Sequence, residues 1–376
     1  SGLRLIDSEG AQLLNLPRGR MRLSGLALLS GSLTPASLEV EGLDLSLEWQ
    51  GSDIAAILSE RGSADGMELI DLLLGLLSPG DKTGSGGYLQ RVVIGNARVD
   101  LKESLTGSQW LFGEAELRFS RGLDNMLLTG KGNLSRLRQN GQSNTPVTRL
   151  DLAGVYNSRT RTSQLELLFD AFNPSDIAGD SETLTVFRAI DMPVSGALGV
   201  TFDENQSVQR ASFDLVGDGG QLDIKALYDD PVRLDGVILS GYYEPEHKQA
   251  VFEDLQLSFV GASLSGDGLV YEGEGGLGAR FFATIQNLPF QWLKVYWPSD
   301  VGKGAYRWIS RNLTAGTVTD GHVQLDMKPG MWDADELPAD AIDFAFEFVD
   351  TTAHYLRPMP PIQNGNGRAR LDAHSF

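Results

Sequence analysis

The residues best suited to chemistry lie in one stretch, Val295–Gly316 (VYWPSDVGKGAYRWISRNLTAG). Lys303, Arg307 and Arg311 recur at four-residue spacing, which on a helix sets them along one face. Such a stripe can meet lipid phosphates or an anionic surface, and it is equally what the solvated side of an ordinary helix looks like. Tyr296, Trp297, Tyr306 and Trp308, with Trp292 just upstream, form an aromatic cluster. Two readings are open for it: a gate or plug in a groove, or a cap over an exposed sheet end.

Elsewhere the chain offers little to a reaction. Its four histidines, His247, His322, His354 and His374, lack metal-ligand spacing. The absence of cysteine excludes disulfides, thiolate catalysis and Cys-ligated zinc. No nucleophile elbow, phosphate loop or dinucleotide fingerprint occurs. Asp333–Glu336 is dense in carboxylates but lacks the spaced loop of a calcium-binding hand. Among 50 acidic residues a glycosidase-like pair can always be nominated, so a nomination carries no weight. No catalytic residue, metal or cofactor is expected, and the chain reads as non-enzymatic. A net charge of −19 argues against nucleic acid as a partner, because the overall field repels it. Lys131, Arg136, Arg138, Arg149, Arg159 and Arg161 reverse that charge locally, either to meet anionic headgroups or to discourage edge pairing.

The elements that must carry these residues are mostly strands. Apolar residues alternate with polar ones at Leu43–Trp49, Val93–Leu101, Ala115–Phe119, Leu150–Tyr156 and Val237–Tyr243, and again at Val323–Met327 and Ile342–Phe348. Around Gly42 the apolar parity flips, which predicts a bulge there. Asp203-Glu204-Asn205, Asp218-Gly219-Gly220, Gly273-Glu274-Gly275-Gly276 and Asn364-Gly365-Asn366-Gly367 read as turns. The pattern amounts to roughly fifteen strands, joined mostly as hairpins and hence mainly antiparallel. Helices are expected at Asp53–Arg61, Met67–Leu77, Asp180–Ile190 and within Leu288–Leu313, with a soft boundary near residues 140–148.

Each strand presents one apolar face, and few helices are present to cover it. Two sheets packed as a sandwich would close such a core. A long sheet curled along its length would instead leave an apolar groove, and an exposed apolar face of that size marks a binding surface. Alternation alone leaves both readings standing.

Residues 287–327 (NLPFQWLKVYWPSDVGKGAYRWISRNLTAGTVTDGHVQLDM) resemble the YhdP branch of the AsmA-like family. There a strand ends, a Tyr-Trp-Pro element follows, and a short Trp-containing helix closes on an Asn-Leu-x-x-Gly turn. Tyr296, Trp297, Pro298, Trp308, Asn312, Leu313 and Gly316 occupy those places. Residues 89–103, 192–215 and 252–268 are also similar to the family.

The resemblance implies a mainly β fold: an elongated, curled antiparallel sheet forming an apolar groove, with a few short helices at its rim or mouth. It implies a bridge-like carrier of phospholipid between the inner and outer membranes of a Gram-negative envelope. The full-length protein would be periplasmic and tethered to the inner membrane by an N-terminal anchor, with other envelope proteins at either end. This chain would be one segment of a longer one, residues 288–316 being its helix-containing element. On that reading the alternation nominates a lipid lining: Leu165, Leu167, Phe169, Leu198, Val200, Phe202, Leu222, Ile224, Leu255, Leu257, Phe259, Phe281, Ile285, Phe344 and Phe346. Trp292, Tyr296, Trp297, Tyr306 and Trp308 become the gate or cap. The alternative is a closed β-sandwich or β-solenoid serving as an envelope scaffold or adhesin.

Overall fold

The structure is a computed structural model. It describes the chain except residues 1–2, 7–11, 17, 30, 32, 50–87, 105, 107, 138–147, 182–183, 206, 226–227, 298–302, 333–337, 339, 357 and 373–376. The helices expected at Asp53–Arg61 and Met67–Leu77, the boundary near 140–148, Pro298 and Asp333–Glu336 fall wholly or largely outside the described residues.

The fold is mainly β, built of mostly antiparallel strands with, among the described residues, four short helices. Two compact units are present: Ser1–Arg188 with Ala197–Val208, and Ala189–Gly196 with Gln209–Phe376.

In the first unit β1 (Leu3–Ile6) and β2 (Gln12–Leu16) form a separate antiparallel pair. β3 (Arg18–Leu23) leads through α1 (Gly25–Leu29) into β4 (Pro35–Glu41). β4 and β5 (Asp44–Trp49) both lie parallel to β6 (Arg91–Glu103), a departure from the hairpin pattern. The chain breaks between them at Gly42, whose φ of 71° is left-handed, so the parity flip reflects a kinked strand split in two. An antiparallel meander follows: β7 (Gln109–Arg121), β8 (Asn125–Leu137), β9 (Thr148–Asn157) and β10 (Thr162–Phe172). β12 (Val194–Phe202) pairs with β10. Two short helical pieces follow β10. α2 (Pro174–Ala178) starts at Asn173, whose side chain accepts from the Ser175 amide, with proline at the first position. In place of the helix expected at Asp180–Ile190 stands a 3-10 turn at Thr185–Ala189.

In the second unit β11 (Ile190–Asp191) pairs with the end of β13 (Val208–Leu222). The meander continues with β14 (Val232–Glu244), β15 (Gln249–Phe259), β16 (Ala262–Gly273) and β17 (Gly276–Gln286). β18 (Leu288–Pro289), α3 (Phe290–Tyr296) and α4 (Lys303–Asn312) interrupt it, as expected for Leu288–Leu313. β19 (Leu313–Met327), β20 (Ile342–Ala353) and β21 (Ile362–Asp372) complete it.

Two expected turns prove to be strand. Asp218-Gly219-Gly220 runs inside β13, where Gly217 pairs with Val237 and Gly220 with Leu234. A Cβ on Gly220 would stand 2.3 Å from the Met192 Cβ, so the glycine admits a crossing segment. Asn364-Gly365-Asn366-Gly367 lies inside β21, with Gly367 beneath the Phe348 ring. Ile224, nominated for the lining, lies with Tyr228 in the connection from β13 to β14, outside the strands.

Candidate functional site

Period-two alternation builds a face only if the registers of successive strands agree. In the second unit they do. One row crosses the sheet through Leu215, Leu239, Leu255, Gly266, Ala283, Val323, Phe344 and Leu371. The neighbouring row runs Phe213, Gly241, Phe252, Gly268, Phe281, Leu325 and Ile342. On the other side run Gly217, Val237, Leu257, Leu264, Ile285, Gly321, Phe346 and Ala369. All three rows are apolar from end to end. The opposite face carries ion pairs such as Arg370–Asp343 and Arg368–Glu347, both at 2.7 Å.

The first unit repeats the pattern. Leu38, Val92, Phe119, Leu128, Gly154 and Leu165 form one row. Val40, Ile94, Leu117, Gly130, Leu152 and Leu167 form the next, and Gly132, Leu150 and Phe169 continue beyond them. Val93, read from the sequence with Ala97 and Val99, faces the other way, because β6 shifts register between Ile94 and Ala97.

Large side chains and glycines alternate across these rows for a steric reason. A Cβ on Gly132 would lie 2.4 Å from the Phe112 ring, one on Gly268 2.4 Å from Phe281, and one on Gly367 2.8 Å from Phe348. Each ring packs over the glycine of the adjacent strand, a known device for shielding backbone beside glycine.

Much of the lining is left half exposed. Phe213, Leu215, Leu239, Phe252, Leu255 and Phe281 are all partly accessible, as are Phe112, Leu117, Leu152, Leu167 and Phe169. Leu165 and Leu198 are exposed at 37% and 41%. Residues sandwiched between two sheets would be buried. Val200 and Phe202 on β12 and Leu222 at the end of β13 are half-buried.

Each unit covers parts of its own face: Leu38, Val40, Val92 and Ile94 are buried in the first, and Phe281, Leu325 and Ile342 pack on the buried Ala279, Met327 and Ala341 in the second. In the first, Ile177 of α2 packs on Trp110 with Leu101, Leu134 and Phe172, and the Trp110 indole donates to the Ile177 carbonyl at 2.9 Å. Ser181 donates to the fully buried Glu103 carboxylate at 2.8 Å. In the second, α3 and α4 cover the end. Phe290 is fully buried, with ring centroids 6.3 Å and 6.2 Å from Phe346 and Phe348. Leu293 and Ile309 complete the seal. The Tyr296 ring packs at a tilt on Phe259, centroids 4.3 Å apart; its hydroxyl donates to the Arg233 carbonyl at 2.6 Å, and its own carbonyl accepts from the Tyr228 hydroxyl at 3.2 Å. Burial pushes both phenols above their ordinary value, for Tyr228 with the second tyrosine and for Tyr296 with Asp235 adding to the effect, so both remain proton donors.

The nominated lining therefore divides. Phe259, Ile285, Phe344 and Phe346 belong to the packed core under the helices and are not open lining. Leu165, Leu167, Phe169, Leu255 and Phe281 stand on partly accessible face. Leu257 sits at the margin, half-buried against the core. Phe112, Phe119, Phe213 and Phe252 also line the faces; they obey the same alternation but were not nominated. The aromatic cluster divides too. Tyr296 and Trp297 pack against the core, and Trp297 meets Tyr306 at 6.3 Å, whereas Trp292 and Trp308 are each 37% exposed. Arg307 and Arg311 are exposed, and the side chain of Lys303 lies outside the described atoms.

The basic run of the first unit is largely neutralised: Lys131 pairs with Glu116 at 3.1 Å, Arg149 with Asp151 at 2.9 Å, Arg136 with Asp180 at 3.4 Å, and Arg159 with Asp124. Among the described residues no cluster of His, Cys, Asp or Glu is arranged to hold a metal, and no helix is long and apolar enough to cross a membrane. No family model, curated protein or solved structure matches the chain.

Proposed function

We propose that the chain binds and conducts acyl-chain lipid without chemistry, holding tails against the apolar sheet faces and leaving headgroups in water. The observation that carries this reading is the pair of registered apolar faces, one per unit, left half exposed instead of sealed by a second layer. Burying a methylene is worth about 0.8 kcal/mol, so a chain of roughly sixteen carbons costs on the order of 12 kcal/mol to drag through water. A continuous apolar lining removes most of that barrier and needs no catalytic group. Rings packed over glycines favour the same use, because they supply apolar contact area along the rows. The resemblance of residues 287–327 to the AsmA-like family supports reading the cargo as phospholipid passing between the two membranes of a Gram-negative envelope.

Native mass spectrometry of the gently purified chain tests the reading. Co-purified phospholipid is expected, and a lipid-free spectrum argues for a scaffold. Photocrosslinking locates the tail: Phe281→Asp is expected to abolish crosslinks on the second face while the β-sheet circular dichroism stays unchanged. Normal loading of that variant removes the assignment.

A further inference from the structure

The end of the second unit that carries α3 and α4 has an outer surface as well as the inner one that seals the sheet. On α3, Phe290 and Leu293 point inward, while Trp292 and Val295 are 37% and 44% exposed. On α4, Ile309 is buried at 2%, and Trp308 stands outward. The strand-to-strand connection after β20 joins the same end: the His354 amide donates to the Asn312 carbonyl at 2.8 Å, and the Asn312 side chain donates to the Trp308 carbonyl at 2.9 Å. In that connection Tyr355, Leu356 and Met359 are each more than half exposed. Large apolar groups from three separate segments thus crowd one end, although each segment has buried apolar partners elsewhere.

Their charged neighbours on the helices are Lys294, Arg307 and Arg311, all exposed. Among the described residues, the acids near this end include Asp229 and Asp230 beside Tyr228, Asp235 near Tyr296, and Asp350 toward the end of β20. In a chain of net charge −19, a helical surface whose exposed charges are cationic is a marked local reversal. Tryptophan and tyrosine amid lysine and arginine, mounted on short helices and a proline-bearing loop, is the composition that sits at the headgroup level of a bilayer.

We infer that this end of the second unit docks on the surface of an anionic phospholipid bilayer. Trp292, Trp308, Tyr355 and Leu356 enter the headgroup boundary, and Lys294, Arg307 and Arg311 meet lipid phosphates. The docking surface uses residues outside the apolar sheet rows and stands whether or not those rows carry lipid.

Vesicle flotation of the 376-residue chain tests it. The chain is expected to float with phosphatidylcholine vesicles containing a quarter phosphatidylglycerol, not with phosphatidylcholine alone, and to be released as salt shortens the screening length. Arg307→Glu with Arg311→Glu should weaken flotation at least about tenfold, since each cation near an anionic surface is worth about 1 kcal/mol. Tyr355→Ser with Leu356→Ser, on a loop outside the packed core, should weaken it as well and guards against misfolding of the helix variant. Phe281→Asp should float like the wild type, which separates docking from tail binding. Absence of flotation, equal flotation with neutral vesicles, or undiminished flotation of both double variants overturns the inference. So does a wild-type chain that ignores vesicles and self-associates through these same residues.

Discussion

At Gly132 the missing side chain leaves room for the Phe112 ring, the three nearest atoms to a Cβ there all belonging to that ring. Gly241 is different: a Cβ would meet the Val251 carbonyl oxygen at 2.0 Å, and a backbone oxygen cannot swing aside. Gly241→Ala is therefore expected to destabilise the second unit by about 1–3 kcal/mol, read from a denaturant melt. Gly132→Ala should cost less, because its ring can lift, but the lifted ring should reduce tail crosslinking on the first face. Equal stability losses at the two sites would contradict this account. Little of the pairing was legible beforehand. Glycines in Asp218–Gly220 and Asn364–Gly367 carry strong turn chemistry, and only the register, Gly220 opposite Leu234 and Gly367 opposite Phe348, reveals them as places within strands.

The α3–α4 hairpin shows what can be read at the scale of an element. Its position between two strands was legible from the break in alternation, and its inner face was not, because α3 is only seven residues long. Phe290 is the anchor: Phe290→Ala is expected to cost about 3–5 kcal/mol and to increase lipid exchange by uncovering Phe346 and Phe348. The Tyr296 hydroxyl is a second tie. Because its folded-state value lies above the ordinary phenol value near 10, its contribution is complete below that pH and is lost as pH rises through the raised value. Titrating Trp fluorescence upward from neutral pH should report loosening only in the alkaline limb. Tyr296→Phe should flatten that limb and cost about 1 kcal/mol at neutral pH from the lost hydrogen bond. A Tyr296→Phe chain that still shows the full alkaline change assigns it elsewhere.

For the molecule as a whole, the expected consequence of two half-exposed faces is that removing lipid should raise binding of an apolar dye, and adding phospholipid back should suppress it. Dye binding unaffected by lipid would mean the faces are not the lipid site. The sequence by itself determined the fold class, an irregularity at Gly42, the place of a helical interruption within Leu288–Leu313, and which parity of most strands is apolar. Those properties follow from the pleat of the backbone and from turn residues acting over a few positions. Only the tertiary structure decided which apolar residues are covered. Leu255 and Phe259 share one strand and one parity, yet Leu255 stays partly accessible while Phe259 is buried beneath Tyr296, a residue from a helix more than thirty positions on. Alternation records which side of a strand faces away from water in the free sheet; coverage depends on where a distant segment comes to rest, and no local pattern encodes that.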